Sequence, residues 1–373
     1  MQFFATAAKG LEELVAAELA GLGIRQPMVE KGGVRFSGDL ADCYRANLWL
    51  RTAQRILLPL GEFPCDTQQM LYERVRELPW LSYLNPDMTL AVSCNLRDSS
   101  LKHSGFVALK TKDAIVDAIR DRCGRRPSVD ARDPDLLVNV HLVRNRCTIS
   151  LDTSGTGLDK RGYRLDRKEA PLRETLAAAI IGLTGWDATA PLVDPMCGAG
   201  TIPIEAALKA SGRPPGLTRT GFGFQRWPGF APGVWQGLLD EARSRFRDSV
   251  PAPIIGSDAS AGAIRSACRN GDRAGVDRLI DFRVGELNRF IPPEQTGVLV
   301  FNPPYGVRLG EEEALKPLYR EIGDVMKRRF SGYTAYLLTG SPELAKHVGL
   351  KASRRIVLFN GPIECRLLRF ELY

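Results

Sequence analysis

Apolar positions along the chain switch between helical and alternating spacing, and the switches divide it into three blocks. In the first, residues 1–60, a strand-like start leads into "GLEELVAAEL", where Leu11, Leu14, Val15 and Leu19 recur at helical spacing. The short run "GGVRFSG" follows as a strand between glycines, and a second helix, "LADCYRANLWLRTAQRI", leads into the strand-like "ILLPLGEF". The second block, residues 61–154 with a start near 43 also compatible, contains "TLAVSCNL", the helix "KTKDAIVDAIRDRCG", and the strand-length runs "LLVNVHLVRN" and "RCTISLDTSG". Both blocks predict compact α/β units.

A polar, basic connector, residues 155–170, runs into the helical pattern "PLRETLAAAIIGLTG", with Pro171 suited to its first turn and Gly182 or Gly185 to its end. Beyond it, in residues 171–373, "PLVDPMCGAG", "PAPIIGSDAS", "LIDFRVGEL" and "GVLVFNPP" are four apolar runs that each end in polar or glycine residues, with helical patterns between several of them. That alternation predicts a doubly wound, mostly parallel sheet with its ligand site at the strand ends. Three further strands are expected in the tail, from "GYTAYLLTG", "ASRRIVLFNG" and "IECRLLRFELY".

Composition narrows the class. No apolar run approaches the roughly 20 residues of a membrane span, and the start reads as strand and amphipathic helix, so a cytoplasmic protein is expected. The eight cysteines form no C-x-x-C pair and the three histidines, His103, His141 and His347, lie far apart; reduced core thiols and no metal are expected. The formal net charge of +8 suits a polyanionic partner. Most of the excess follows residue 160, where 30 basic residues face 23 acidic ones.

Four strand ends carry the candidate chemistry. In "LVDPMCGAGTIPIEAALKA", Asp194 closes a strand before a turn with Gly198 and Gly200 and a helix from near Thr201. Glycines let backbone approach a ligand, and an acid there can hold a charged or hydroxyl group. A pyrophosphate is disfavoured, because the spacing is not G-x-G-x-x-G and the acid would repel it. A tight turn without a ligand is the competing reading. Asp258, after "IIGS", can accept from two ribose hydroxyls or act as a helix N-cap, and Glu286, after "FRVG", can receive an adenine amine or stand as a solvated loop acid. The fourth strand ends in "NPPY": Asn302, Pro303, Pro304, Tyr305.

In that order the elements resemble class I S-adenosylmethionine-dependent methyltransferases that modify exocyclic amines of bases. Such an amine's lone pair is delocalised into the ring, and transfer requires it to localise on nitrogen while acceptors hold both N–H groups. Asn302 Oδ1 and the Pro303 carbonyl can be those acceptors. Proline offers no competing donor and biases its predecessor to extended geometry, which makes a rigid shelf, and Tyr305 can stack on the base.

The similarity covers nearly the whole chain. "CYRANLWLRTAQRILLPLGEF", "LDTSGTGLDKRGYR", "DPMCGAGT" and "NPPYG" resemble the THUMP-containing RNA methyltransferases, a family often labelled N6-adenine-specific DNA methylases, and within it the RlmL-type 23S rRNA guanine-N2 enzymes. The resemblance implies an N-terminal ferredoxin-like segment, a THUMP domain that engages structured RNA, and a Rossmann-like methyltransferase domain acting on large-subunit rRNA. It assigns catalysis to Asn302, Pro303 and Tyr305, and cofactor contacts to Asp194, Pro195, Cys197, Gly198, Gly200, Thr201, Asp258, Ala259, Glu286 and Asn302. Glu286 departs from the aspartate of many relatives. The oligomeric state is open.

RNA contacts are expected from Lys160, Arg161, Tyr163 and Arg164 in the connector, with Arg167 and Lys168 beside them, although a charge run is also a common solvated face. "GLTRTGFGFQRWPGF" interleaves Arg219, Phe222, Phe224, Arg226 and Trp227, which fits either a nucleotide cradle or the packing of an insertion. Cys197 reads as a packed residue rather than a nucleophile. Adenine N6 in DNA or RNA, and guanine N2 in tRNA, remain competing substrates, and an assembly factor that retains the cofactor fold is the reading outside enzymology.

Overall fold

The computed structural model describes residues 1–164, 172–305 and 311–373; Arg167, Lys168 and Pro171 lie outside the described residues. The N-terminal part is built from strands β1 (Gln2–Thr6), β2 (Met28–Glu30), β3 (Gly33–Ser37), β4 (Arg55–Pro64), β5 (Thr89–Arg97), β6 (Ser128–Val129), β7 (Leu136–Val143) and β8 (Arg146–Asp152). Helices α1 (Glu12–Gly21), α2 (Leu40–Trp49), α3 (Gln68–Arg76) and α4 (Ser104–Cys123) accompany them. All eight strands form one sheet in the order β2-β3-β1-β4-β8-β7-β5-β6. The join is β4: its first residues pair with β1 and the remainder pairs antiparallel with β8, through a register shift between Pro59 and Gly61. The first two blocks thus share one hydrogen-bonded surface, with Phe3, Phe36, Leu58, Val138 and Ile149 in a continuous core.

One expected element is shorter than its pattern. The second helix stops at Trp49, because Leu50 turns to extended geometry and the next two backbone N–H groups, those of Arg51 and Thr52, donate to the partly buried Glu18 carboxylate at 3.0 and 3.2 Å. A partner on α1 ends the helix, so no local residue signals it.

In the C-terminal half, α5 (Glu174–Thr184) ends at Gly185 in left-handed geometry, φ +72°. Then come β9 (Leu192–Asp194), α6 (Thr201–Ala210), α7 (Pro232–Ser244), β10 (Ile254–Asp258), α8 (Ala261–Ala274), β11 (Asp281–Val284) and β12 (Gly297–Phe301). The remaining elements are α9 (Glu311–Arg329), β13 (Tyr333–Thr339), α10 (Pro342–His347), β14 (Arg354–Asn360) and β15 (Ile363–Glu371). The sheet order is β11-β10-β9-β12-β13-β15-β14, parallel except for β15, which runs antiparallel to both its neighbours. The order reverses between β9 and β12, and at such a switch point the strand ends open a crevice.

The segment between α6 and β10 packs onto the N-terminal sheet. Phe224 stacks on Tyr44 with ring centroids 4.3 Å apart, and Phe222 and Trp235 complete the aromatic cluster. Of the two readings of "GFGFQRW", packing is the one realised: Phe222, Phe224 and Trp227 are all buried. Among the described residues no helix is long and apolar enough to cross a membrane, and the cysteines are free thiols.

Candidate functional site

The four strand ends meet at the crevice. Strand β9 pairs with β10 on one side and β12 on the other, so Asp194, Asp258 and Asn302 emerge from three adjacent strands. The turn after Asp194 is tied to β10: the Cys197 N–H donates to the Ser257 carbonyl at 2.9 Å, and the Gly198 N–H donates to Asp258 Oδ2 at 3.0 Å. The other Asp258 oxygen accepts from the Ser260 N–H at 2.8 Å. Ser260, not Asp258, is the N-cap of α8, accepting from Ala263 N. Asp258 therefore braces the turn with one lone pair on each oxygen and keeps the others for a ligand.

The two glycines of the turn do different work. Gly198 has φ +56° and open space where a Cβ would stand, which is a backbone cradle facing the crevice. Gly200, at φ +82°, is a packing position, where a Cβ would lie 2.9 Å from Phe282 Cζ and 3.0 Å from Ala267 Cβ. Phe282 and Asn270, whose side-chain amide donates to the Ala199 carbonyl at 3.0 Å, support the turn from distant segments that the sequence does not single out.

Asp194 is buried, and its Oδ1 accepts from the Met196 N–H at 3.2 Å. Burial, with the Asp258 charge adding to it, pushes its carboxyl up to about 8. Pro195 and Cys197 are buried beside it, and burial pushes the Cys197 thiol far up, which leaves it protonated and packed rather than nucleophilic. Thr201 Oγ1 accepts from Arg164 Nη2 at 2.6 Å. Ala259 and Glu286 are exposed at the rim, where Glu286 lies 3.3 Å from Arg289.

At the end of β12, Asn302 is partly exposed and Pro303 is buried. Tyr305 is half-buried, and its hydroxyl accepts from the Asn360 side-chain amide at 3.2 Å. Its ring lies against Gly340, where a Cβ would come within 2.8 Å of Cδ2. Burial pushes the phenol up from its ordinary value. Gly340, just after β13, and Asn360, at the end of β14, thus orient the ring, and nothing in the "NPPY" stretch announces them.

The connector corrects the sequence reading. Arg161 and Tyr163 are buried, not presented to RNA. Glu205 Oε1 lies 3.4 Å from Arg161 Nε and accepts from the Tyr163 hydroxyl at 3.1 Å, while Arg161 Nη1 donates to the Leu158 carbonyl at 2.7 Å and Nη2 to the Arg51 carbonyl. Arg164 pairs with Glu174 at 3.1 Å with both side chains largely covered. The run turns inward because α6 offers a buried acid that requires counter-charge. Arg226 pairs with Asp133 at 2.8 Å and approaches Asp135, linking the insertion to the loop before β7. Of these five, Lys160 and Arg226 are exposed, and Arg226 is already engaged by Asp133.

A doubly wound sheet with an acid and a glycine cradle after its first strand, acids after the next two and "NPPY" after the fourth defines a Rossmann-like methyltransferase. The chain belongs to the RMKL-like methyltransferase family, whose domain model matches residues 161–369. An RlmL ferredoxin-like domain matches residues 2–57 and a THUMP domain residues 65–152. The chain is 44% identical over 383 residues to the ribosomal RNA large subunit methyltransferase K/L of Syntrophotalea carbinolica, covering 100% of this chain and 54% of that one. It therefore spans about half the length of its K/L relatives. A Synechocystis protein, slr0064, that carries an RNA methyltransferase name is 43% identical over 371 residues, covering 100% of this chain and 97% of that one. Among solved structures, SMU.472 in complex with S-adenosylhomocysteine superposes with a TM-score of 0.90 at 32% identity, covering 100% of this chain and 98% of that one. A Listeria monocytogenes protein described as a predicted N6-adenine-specific DNA methylase gives 0.89 at 38%, covering 100% and 96%.

Proposed function

We propose that this chain transfers a methyl group from S-adenosylmethionine to the exocyclic N2 amine of a guanine in large-subunit rRNA, in the cytoplasm. The observation that carries the reading is the placement of Asn302 and Pro303 one strand away from the Asp194 turn, across the switch point. The crevice fits the cofactor: an open backbone cradle at Gly198 and two neighbouring carboxylates suit a ligand that carries positive charge and ribose hydroxyls. Asp194 would hold the α-ammonium, Asp258 the ribose, and Glu286 the adenine amine. When bound, the cofactor supplies an electrophilic sulfonium methyl. The protein's part is to fix the acceptor: Asn302 Oδ1 and the Pro303 carbonyl take the two amine N–H groups as nitrogen becomes tetrahedral, and the Tyr305 ring holds the base plane.

Nucleoside mass spectrometry of rRNA and tRNA from a deletion strain tests the reading. Loss of N2-methylguanosine from large-subunit rRNA is the expected result. Loss of N6-methyladenosine alone would replace guanine by adenine, and loss confined to tRNA would move the substrate.

The raised carboxyl of Asp194 gives a pH dependence whose sign follows from linkage. Between its ordinary value near 3.8 and about 8, the folded protein holds a proton that the unfolded chain has released. Stability from this group therefore declines as pH rises through that interval. A bound ammonium requires the ionised form, so affinity for S-adenosylhomocysteine should rise with pH, by up to about tenfold per unit below pH 8. Calorimetry from pH 6 to 8.5 reads the slope, and Asp194→Asn should flatten it. An equally steep slope in that variant assigns the proton elsewhere.

A further inference from the structure

A cationic cavity adjoins the base shelf. Between α10 and the β14–β15 pair lies a cavity of about 210 Å³, lined by Arg355, Arg366, Lys346, Thr339, Leu368 and Phe370, among others, with no carboxylate in its wall. Its place follows from register. Arg366 pairs with Thr339 on one side and Val357 on the other, and Arg355, two residues before Val357, shares that face of the sheet. Thr339 ends β13 and is followed by Gly340, against which the Tyr305 ring rests. The cavity wall and the base shelf thus meet at consecutive residues.

The two guanidinium groups are unusual in their surroundings. Elsewhere the connector and insertion arginines are spent on carboxylates and carbonyls, as at Arg161, Arg164, Arg219 and Arg226. The side chains of Arg355 and Arg366 have neither an ion pair nor a hydrogen bond among the described residues. Lys346 is held at 2.7 Å by Glu343 at the exposed rim. Like charges on neighbouring strands repel unless an anion lies between them, and an apolar floor of Leu368 and Phe370 strengthens the attraction for such an anion. Paired guanidiniums match the geometry of a phosphate.

We infer that Arg355 and Arg366 hold a backbone phosphate of the RNA strand beside the target nucleotide, and so set which nucleotide reaches the Tyr305 shelf. This rests on the amine-methylation reading above. The pocket lies off the crevice, on the α10 face of the sheet, and none of its residues is placed in the cofactor or amine machinery.

The test compares wild type with Arg355→Gln/Arg366→Gln and with the charge-preserving Arg355→Lys/Arg366→Lys, using rRNA from the deletion strain. The Gln pair should retain its affinity for S-adenosylhomocysteine and its single-turnover rate at saturating RNA. Its RNA affinity should fall on the order of tenfold at moderate salt, and the slope of log K against log[salt] should decrease by about one. The Lys pair should keep most of the slope. Each Gln substitution alone reads the same slope should the double variant fold poorly. Wild-type RNA affinity and slope in a folded Gln variant overturn the phosphate site, as does a Lys pair that loses as much as the Gln pair. If wild type transfers no methyl group to this RNA, the amine-methylation reading fails instead, whatever the arginines do.

Discussion

Asn302→Ala should fold and bind S-adenosylmethionine nearly as wild type does, yet methylate on the order of 10²–10³ more slowly in a single turnover, the usual cost of removing one preorganised hydrogen-bonding partner from a transition state. Strand β12 is clamped along its length, pairing with β13 at every residue from Gly297 to Phe301 and with β9 at Val298 and Leu299. Phe301 and Pro303 are both buried on either side of Asn302. An alanine there removes the amide oxygen without releasing the backbone, so the loss should be confined to the step in which nitrogen localises its lone pair. Near-wild-type single-turnover rates would reduce "NPPY" to architecture.

Tyr305 should respond differently from a free stacking platform. Its hydroxyl is bonded to Asn360 and its ring is fitted to Gly340. Tyr305→Phe keeps the ring but gives up that bond, which is worth about 0.5–1.5 kcal/mol. Asn360→Ala should reproduce the effect of Tyr305→Phe on RNA affinity, because both release the same ring.

The largest effect on stability is expected at Glu205. It is fully buried on α6, where a single oxygen serves both Arg161 and Tyr163, and α6 also abuts Arg51, whose Nη2 donates to the Leu208 carbonyl at 3.1 Å. Glu205→Ala leaves the Arg161 charge buried without its acid, and breaking a buried pair in this way costs about 3–5 kcal/mol. A urea titration should show the midpoint falling sharply. Tyr163→Phe, which removes only a neutral donor, should cost about 0.5–1.5 kcal/mol. The contrast also separates the two readings of the connector. Were Arg161 an RNA contact, Arg161→Ala would weaken RNA binding and spare the midpoint; as the partner of Glu205 it should lower the midpoint as Glu205→Ala does.

The strands of the C-terminal sheet and the residues at their ends were legible because each βα turn is a local object. The acid, the glycine or the proline pair follows its strand in the chain, so the chemistry and the element that carries it are read from one stretch, as in "LVDPMCGAGT" and "LVFNPPY". Folding only brought those stretches side by side. The N-terminal α/β blocks were legible for the same reason, apart from their fusion through β4, which depends on a pairing with β8 that spacing along the chain does not specify.

What the tertiary structure decided is where charge goes. "KRGYR" and "TRTGFGFQRW" look alike to composition whether they face solvent, RNA or protein. The outcome turns on partners remote in sequence: Glu205 for Arg161 and Tyr163, four backbone carbonyls for Arg219, and Asp133 for Arg226. A guanidinium is buried only where acceptors already wait for it, and it stays available to an anion where none do, as at Arg355 and Arg366. The same holds for Gly198 and Gly200, alike in the sequence and in their positive φ, one opening on a crevice and the other filled by Phe282. Which polar side chains follow which strand is contiguous information, and the chain order alone carries it. Which cations and which glycine face a ligand was decided by packing, because burial is a property of the neighbours.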